Sequence, residues 1–423
     1  MKIKEIEIEN YRGFRGKKHL VCKDNLNVFV GVNGSGKSSL LDLIATFLNL
    51  FVIQFSRQFP SKKAYQFTDF DINIEEKESN NKFIAIKKDK LFSLKIKRFS
   101  YITVNSNISE FNIPTLTKLD TKINIPVFKY FQAQRNVNEN VYEAPKKRYI
   151  VEQFKAYDDA FSKNYNFDKF IWWFVEEENK ENRTKIKQRN FSYNNPNLEA
   201  IRNAIRLFLE NMPAFEYRNL RVEDRPFNLK TNEKSSLVID KNGKTFNLKQ
   251  LSDGEQLLIL MVSDIAHRLS IANPSLENCL EGEGVVLIDE ISLHLHPSWQ
   301  RYVIPCFLKT FPNIQFFATT HSPQVLSNVK HENIFIIEDF EILPFTPNTY
   351  GRDSNSILWD IFGVAERPKH TKDKLNEFYK LLDEEEAQEK VKKLLAELSA
   401  QLGENDPEIL RAKLHFEFLN DID

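Results

Sequence analysis

The segment GVNGSGKS at 31–38 sets four residues between Gly31 and Gly36-Lys37-Ser38. Glycine is scarce, 12 in the whole chain, yet three fall at positions 31–36, so the excess marks a loop with a purpose. Such a loop turns backbone N–H groups inward around phosphates, and the helix it opens adds the partial positive charge of its N-terminus. Lys37 would reach the β- and γ-phosphates and Ser38 would give an oxygen to Mg²⁺. Gly31, Asn33, Gly34, Ser35, Gly36 and Ser39 complete the expected nucleotide-contacting set. A second constellation is VVLIDE at 285–290, an apolar run whose exit carries two adjacent carboxylates. Asp289 would hold Mg²⁺ through a water, and Glu290 would polarise an attacking water as general base. An apolar strand ending in acids is common by itself; it gains meaning beside the phosphate loop.

Positioning these groups requires strands that end where the loops begin. LNVFV at 26–30 reads as a buried strand running directly into the glycine loop, and an apolar helix follows it. Helix over 257–271, strand over 285–288, a further helix and strand over 314–318 make an alternation that predicts a largely parallel α/β core. Ile3 to Ile8 alternates with the period of a strand, and 65–131 reads as strands and turns. From about Asn136 to Arg225 aromatic and charged residues mix at helical spacing, as at Ile201, Ile205, Phe208 and Leu209. This predicts a helical insertion, with the Asn- and Lys-rich stretch 178–197 as an exposed connection. Asn242-Gly243 signals a hairpin that returns the chain to sheet. The tail from Thr371 carries Leu375, Phe378, Leu382, Val391, Leu394, Leu395, Leu398 and Leu402 at helical spacing, a stop at Gly403 and a short helix after Pro407. The expected organisation is an ATPase-type head begun by 1–135 and completed by 246–345, a mainly helical insertion at 136–245, and a helical tail at 346–423 for packing or assembly.

Composition narrows the class of protein. Lys plus Arg and Asp plus Glu number 59 each, so net charge names no partner, although a local basic patch would still bind nucleic acid. Cys22, Cys279 and Cys306 are scattered and odd in number, which predicts neither a metal framework nor disulfides. The N-terminus has no hydrophobic signal core and no apolar run reaches membrane-spanning length, so a cytoplasmic location and no membrane partner are expected.

LSDGEQ at 251–256 resembles the signature motif of the ABC ATPase superfamily. The resemblance implies that Ser252 and the Gly254 backbone, with Glu255 beside them at a helix N-terminus, contact the γ-phosphate bound by a second copy of the chain. It also implies that His321, in ATTHSP, is a switch histidine at the γ-phosphate, and that LHLHP at 293–297 crosses a dimer interface. A metal pair at His294 and His296 is the other reading of that loop, with nothing nearby to complete it. Gln132 and Gln134 in YFQAQRNV are candidates for the glutamine that contacts Mg²⁺ and water, Gln134 being slightly favoured, and a plain polar loop fits as well. Arg12 in NYRGF stands where the SMC-like and OLD-like branch carries a basic residue near the phosphates; a solvated turn arginine explains it equally.

Together NYRGF, GVNGSGKSS, LSDGEQ, VLIDE, LHLHP and THSP resemble compact ABC-type ATPases of the SMC/OLD-like group. The 215 positions between Lys37 and Ser252 exceed the spacing in transporter subunits and fall far short of the coiled coils of SMC proteins. YGRDSNSILWDIFGVAERP and LGENDPEILRAK resemble the PtuA family, the ATPase subunits of Septu-type and retron-associated phage-defence systems. That resemblance implies ATP and Mg²⁺ as ligands, assembly of the chain with itself, an HNH-type nuclease partner, and action near DNA. Ser292 stands where the family usually has an acidic residue. No Toprim-type acid set follows His321; Glu338-Asp339 is the nearest candidate. The alternatives are a DNA-repair or chromosome-handling ATPase without an effector, an interaction protein with a decayed site, and a transporter motor.

Overall fold

The computed structural model describes residues 1–57, 79–87, 90–98, 102–106, 124–133, 152–162, 167–213, 216–224, 235–382 and 388–420. They divide into two units, Met1–Arg352 and Asp353–Asp423.

The first unit is built on a six-stranded sheet ordered β14-β13-β3-β12-β11-β7. Its members are β3 (Leu26–Val30), β7 (Val127–Phe131), β11 (Gly284–Ile288), β12 (Ile314–Thr320), β13 (Ile334–Glu338) and the short β14 (Glu341–Ile342). The five strands from β13 to β7 are parallel, and only β14 runs against its neighbour. Every residue of β3, β7, β11 and β12 is buried. That is why these strands read as mainly apolar runs without strict alternation: a parallel sheet is covered on both faces. Because the strands are parallel and adjacent, their C-terminal ends share one edge, where open α/β sheets bind ligands. The fold is therefore an α/β phosphate-loop ATPase head.

A second, antiparallel sheet is ordered β2-β1-β4-β5-β6, with β1 (Lys2–Tyr11), β2 (Phe14–Val21), β4 (Ser79–Lys87), β5 (Lys90–Arg98) and β6 (Ile102–Ser106). A third is ordered β10-β9-β8, with β8 (Tyr217–Asp224), β9 (Ser235–Lys241) and β10 (Lys244–Asn247). Asn242 and Gly243 both take positive φ, 51° and 74°, in the two-residue turn that pairs Lys241 with Lys244. This is the hairpin that Asn-Gly predicts.

The helices of this unit are α1 (Lys37–Arg57), α2 (Phe167–Gln188), α3 (Pro196–Leu209), α4 (Asp253–Ala272), α5 (Pro297–Gln300), α6 (Val303–Thr310) and α7 (Pro323–Leu326). Asn195 caps α3 by accepting the Asn197 N–H at 3.0 Å, and Pro196 occupies the first turn, where a missing donor costs nothing. The buried face of α3 packs on α4 and α6, with Phe208 and Phe307 rings 4.9 Å apart.

Two local expectations change. Residues 178–188 are not connection but the last turns of α2, whose acids pair with Lys180 and Lys185 at 2.7 and 2.6 Å and, through Glu178 and the buried Glu181, with Arg202 of α3. The expected helical stretch up to Arg225 ends sooner, because Tyr217–Asp224 is strand β8. A register shift between Arg218 and Arg221 puts the buried Tyr217 and Leu220 three apart, a spacing that imitates a helix.

The second unit holds α8 (Ser354–Phe362), α9 (Lys369–Leu382), α10 (Gln388–Leu402) and α11 (Pro407–Asn420). Leu375, Phe378, Val391, Leu398, Ile409 and Ala412 form its core, with Leu382, Leu394, Leu395 and Leu402 packed against it. The apolar row of the tail is thus spent on packing its own three helices together.

Candidate functional site

The glycine loop leaves β3 and enters α1, and its geometry is that of a cradle. Gly36 takes φ 111°, and a Cβ there would stand 2.7 Å from the Phe340 ring, so no other residue fits without displacing that ring. Phe340 itself sits at φ 62° in the β13–β14 turn and donates its N–H to the Ser35 carbonyl at 3.0 Å. A bulky residue at positive φ is uncommon and is held by its surroundings. Here Phe14 packs edge-on against it at 5.4 Å.

Lys37 is 4% exposed, and its ammonium donates to the carbonyls of Gly31 at 3.1 Å and Val32 at 2.9 Å. Among the described residues it forms no ion pair. Burial lowers its pKa, against the pull of Glu290 and Asp289. A buried cation without a counter-anion is costly, and a phosphate supplies what is missing. The Ser35 hydroxyl lies in the same loop, buried and without a partner among the described residues. An orphaned donor and a bare ammonium in one glycine loop fit a polyphosphate.

Opposite the loop, β11 delivers its two acids. Asp289 is 6% exposed; its Oδ1 accepts from Ser38 Oγ at 3.1 Å and Thr319 Oγ1 at 2.6 Å. Burial raises its pKa, partly offset by those two hydroxyls, and Glu290 and Asp42 push it further up. The hydroxyl of Ser38 and the carboxylate of Asp289 are adjacent hard oxygens of the kind Mg²⁺ takes. Thr319 Oγ1 also accepts the Glu290 N–H at 2.7 Å, so one buried hydroxyl orients both acids. Glu290 takes φ 52°, a left-handed turn at the strand end. Its Oε1 lies 2.7 Å from His321 Nε2, and His321 Nδ1 lies 2.9 Å from the Gly31 carbonyl. Both ring nitrogens face acceptors, one on the loop and one on the acid, so the ring bridges the two.

The signature segment lies apart from this cluster. Ser252 precedes α4, and its N–H and hydroxyl both donate to Glu255 Oε2, at 2.8 and 2.7 Å. Among the described residues no hydrogen bond joins Ser252 to the phosphate loop. Gly254 is pressed against the loop that follows Asp289 and Glu290: a Cβ would meet the His294 carbonyl at 2.4 Å. Glu255 is 6% exposed and faces inward, accepting from Tyr217 and, at 2.5 Å, from Lys241. Burial works to raise its pKa, but those hydrogen bonds win and hold it below the usual carboxylate range. Its carboxylate fixes the signature turn to the β8–β9 sheet.

The remaining candidates divide. Arg12 Nη1 reaches Ser39 Oγ at 3.2 Å and Asp42 Oδ2 at 2.7 Å, which brings it beside the loop rather than into solvent. Gln132 directly follows β7 and is half-buried, whereas Gln134 lies outside the described residues. Ser292 Oγ shares a 3.1 Å hydrogen bond with Thr320 Oγ1, and His296 caps α5 through Ser298. Glu338 and Asp339 belong to the end of β13 and its turn. Sequence reasoning passed over Thr319, Asp42 and Phe340. Thr319 had a signal, a hydroxyl at the end of a mainly apolar strand two residues before His321; Phe340 had none, since only the fold brings it to the loop.

The family described as "AAA domain, putative AbiEii toxin, Type IV TA system" matches residues 26–327, which hold the glycine loop, Asp289, Glu290, Ser252 and His321 but neither Arg12 nor Phe340. The retron Ec83 probable ATPase of Escherichia coli is 30% identical over 99% of this chain and 87% of its own length. The retron Vc95 probable ATPase of Vibrio cholerae serotype O1 biovar El Tor is 31% identical over 87% of this chain and 80% of its own. Septu protein PtuA of Bacillus thuringiensis is 25% identical over 66% of this chain and 68% of its own. With a bare lysine in a glycine loop, two oriented acids and matches along nearly its whole length, the chain belongs to the ABC-type AAA-domain ATPase family of the retron ATPases.

Proposed function

We propose that the chain is the ATP-hydrolysing subunit of a prokaryotic anti-phage defence complex, that two copies complete each other's ATP sites, and that the nucleotide governs a partner nuclease of the HNH type. The observation that carries the catalytic part is the contact chain Ser38–Asp289–Thr319–Glu290–His321–Gly31, which closes on the phosphate loop. Loop N–H groups and Lys37 hold the β- and γ-phosphates. Ser38 and Asp289 would hold Mg²⁺, with Gln132 or Gln134 as a further contact, and the ion would supply neutralisation of the phosphates' negative charge. Glu290 takes the proton of the water that attacks the γ-phosphorus, as the bond to the ADP oxygen breaks. His321 keeps the Glu290 carboxylate turned toward the loop. Ser252 and Gly254 of a second copy cap the γ-phosphate, which accords with a Ser252 that, among the described residues, makes no hydrogen bond to the phosphate loop of its own chain.

The similarity to retron and Septu ATPases supports the defence role and the separate effector. Glu290→Gln tests the catalytic reading: ATP binding persists while turnover falls by about 10²–10⁴-fold, the usual worth of a general base. Normal hydrolysis by that variant removes Glu290 from the mechanism. Co-purification with the product of the neighbouring gene tests the effector reading, and a neighbour that is no nuclease favours the DNA-repair alternative.

A further inference from the structure

Asp42 lies one turn into α1, beyond the residues assigned to the nucleotide, and its carboxylate is shared between two other elements. Oδ2 accepts from Arg12 Nη1 at 2.7 Å, and Oδ1 accepts the Tyr130 hydroxyl at 2.9 Å. Arg12 occupies the β1–β2 turn at φ 51°, and its guanidinium carbon stands 5.4 Å over the Tyr11 ring. Tyr130, 2% exposed, precedes Phe131 on β7, whose carbonyl takes the Asp289 N–H at 2.8 Å. One carboxylate thus joins the antiparallel sheet, the phosphate-loop helix and the strand beside the Mg²⁺-binding acid.

Stability is a poor reason for this arrangement. Side-chain exposures of 30% for Arg12 and 23% for Asp42 leave the pair wet enough to be worth little. Position is a better one. The guanidinium is a rigid fork of five donors, and its Nη1 edge is pinned by Asp42 and Ser39. Among the described residues Nε and Nη2 make no hydrogen bond. A fork pinned on one edge, one residue from Ser38, presents its other donors in a fixed direction.

We propose that Asp42 and Tyr130 are positioning residues that hold Arg12 beside the phosphate loop so that its remaining donors engage the phosphates of ATP. The proposal rests on the reading of Arg12 as a nucleotide contact, and the two fail separately.

The test uses the full chain with Arg12→Ala, Asp42→Asn, Asp42→Glu, Tyr130→Phe and the double variant Arg12→Ala/Asp42→Asn. ATP Kd, KM and kcat are measured, with thermal unfolding as the check on folding. Arg12→Ala and Asp42→Asn should each raise Kd and KM about tenfold, the worth of a charged hydrogen bond, while kcat changes much less. The double variant should bind no more weakly than Arg12→Ala, and Asp42→Glu should recover part of the loss. Tyr130→Phe should weaken binding in the same direction by a smaller factor. Wild-type affinity in Asp42→Asn beside a weakened Arg12→Ala overturns the positioning role and leaves the Arg12 reading intact. Wild-type affinity in Arg12→Ala overturns both. Losses that add in the double variant show Asp42 acting by its own route, which also overturns the proposal. If Asp42→Asn fails to fold, Tyr130→Phe decides, since removing one hydroxyl without any change in ATP affinity contradicts it.

Discussion

Lys37 carries a positive charge into a place that is 4% exposed, where among the described residues its hydrogen bonds go to two carbonyl oxygens and no carboxylate pairs with it directly. Folding therefore works against this residue until a phosphate arrives, a common trade of stability for function. Lys37→Met should raise the thermal midpoint of the nucleotide-free chain, because burying an apolar stem costs nothing comparable to burying an unpaired ammonium. The same variant should lose the stabilisation that ATP confers, about 2.7 kcal/mol at a hundredfold excess over Kd for a binding-competent chain. Differential scanning calorimetry with and without ATP checks both halves; a destabilised variant that still shifts with ATP contradicts them. Asp289 shows the mirror image, with burial raising its pKa and neighbouring acids adding to that. A cation at each carboxylate and an anion at the ammonium relieve both strains, which is the electrostatic logic of a metal–phosphate site.

At the scale of elements, the parallel strands did most of the work and were the most legible part of the sequence. β3, β11 and β12 are mainly apolar and wholly buried, and each ends in the residues with chemistry: the glycine loop, Asp289-Glu290 and His321. Their convergence follows from parallel pairing alone, so spacing in the sequence was enough to foresee which groups would meet. What could not be foreseen is carried by tertiary contacts between distant turns. Phe340 reaches Gly36 and Phe14 only because β13 lies beside β3, and Asp42 finds Arg12 and Tyr130 only once two sheets and α1 are assembled. The β8 bulge misled for a local reason, since it breaks the two-residue period on which strands are recognised. The aromatic Trp172-Trp173-Phe174 triplet on α2 also divides: Phe174 is fully buried, Trp172 is 66% exposed, and Trp173 packs its ring 4.1 Å from His267 of α4. Burial depresses the His267 pKa from 6.5 to about 4, with Asp264 opposing. Unfolded chain takes up a proton near pH 6.5 that the folded chain refuses until about pH 4, so stability rises with pH across that window and is lost as pH falls through it. Urea midpoints should decline between pH 7 and 5, and His267→Gln should flatten the decline. An unchanged slope places the acid sensitivity elsewhere.

At the scale of the whole molecule, the tail has a core of its own, with Phe378 fully buried among Leu375, Val391, Leu398, Ile409 and Ala412. Phe378→Ala should cost that unit about 3–5 kcal/mol, the usual price of emptying an aromatic core site. ATP affinity should survive the change, and a loss of ATP binding would show that the two units fold as one. The larger claim concerns how the first unit is completed. Among the described residues Ser252 bonds to Glu255 and not to the phosphate loop of its own chain, and Gly254 lies against His294 in the loop after Asp289 and Glu290. A hydrolytic site assembled from one chain's Lys37 and another chain's Ser252 accounts for that separation. The decisive measurement mixes two inactive full-length variants, Lys37→Ala, which cannot hold the phosphates, and Ser252→Arg, which blocks its neighbour's site. Verified mixed assemblies contain one site with both halves intact, so ATPase activity should reappear on mixing and scale with the fraction of mixed dimers. Mixed dimers that remain as inactive as either parent would contradict the shared site.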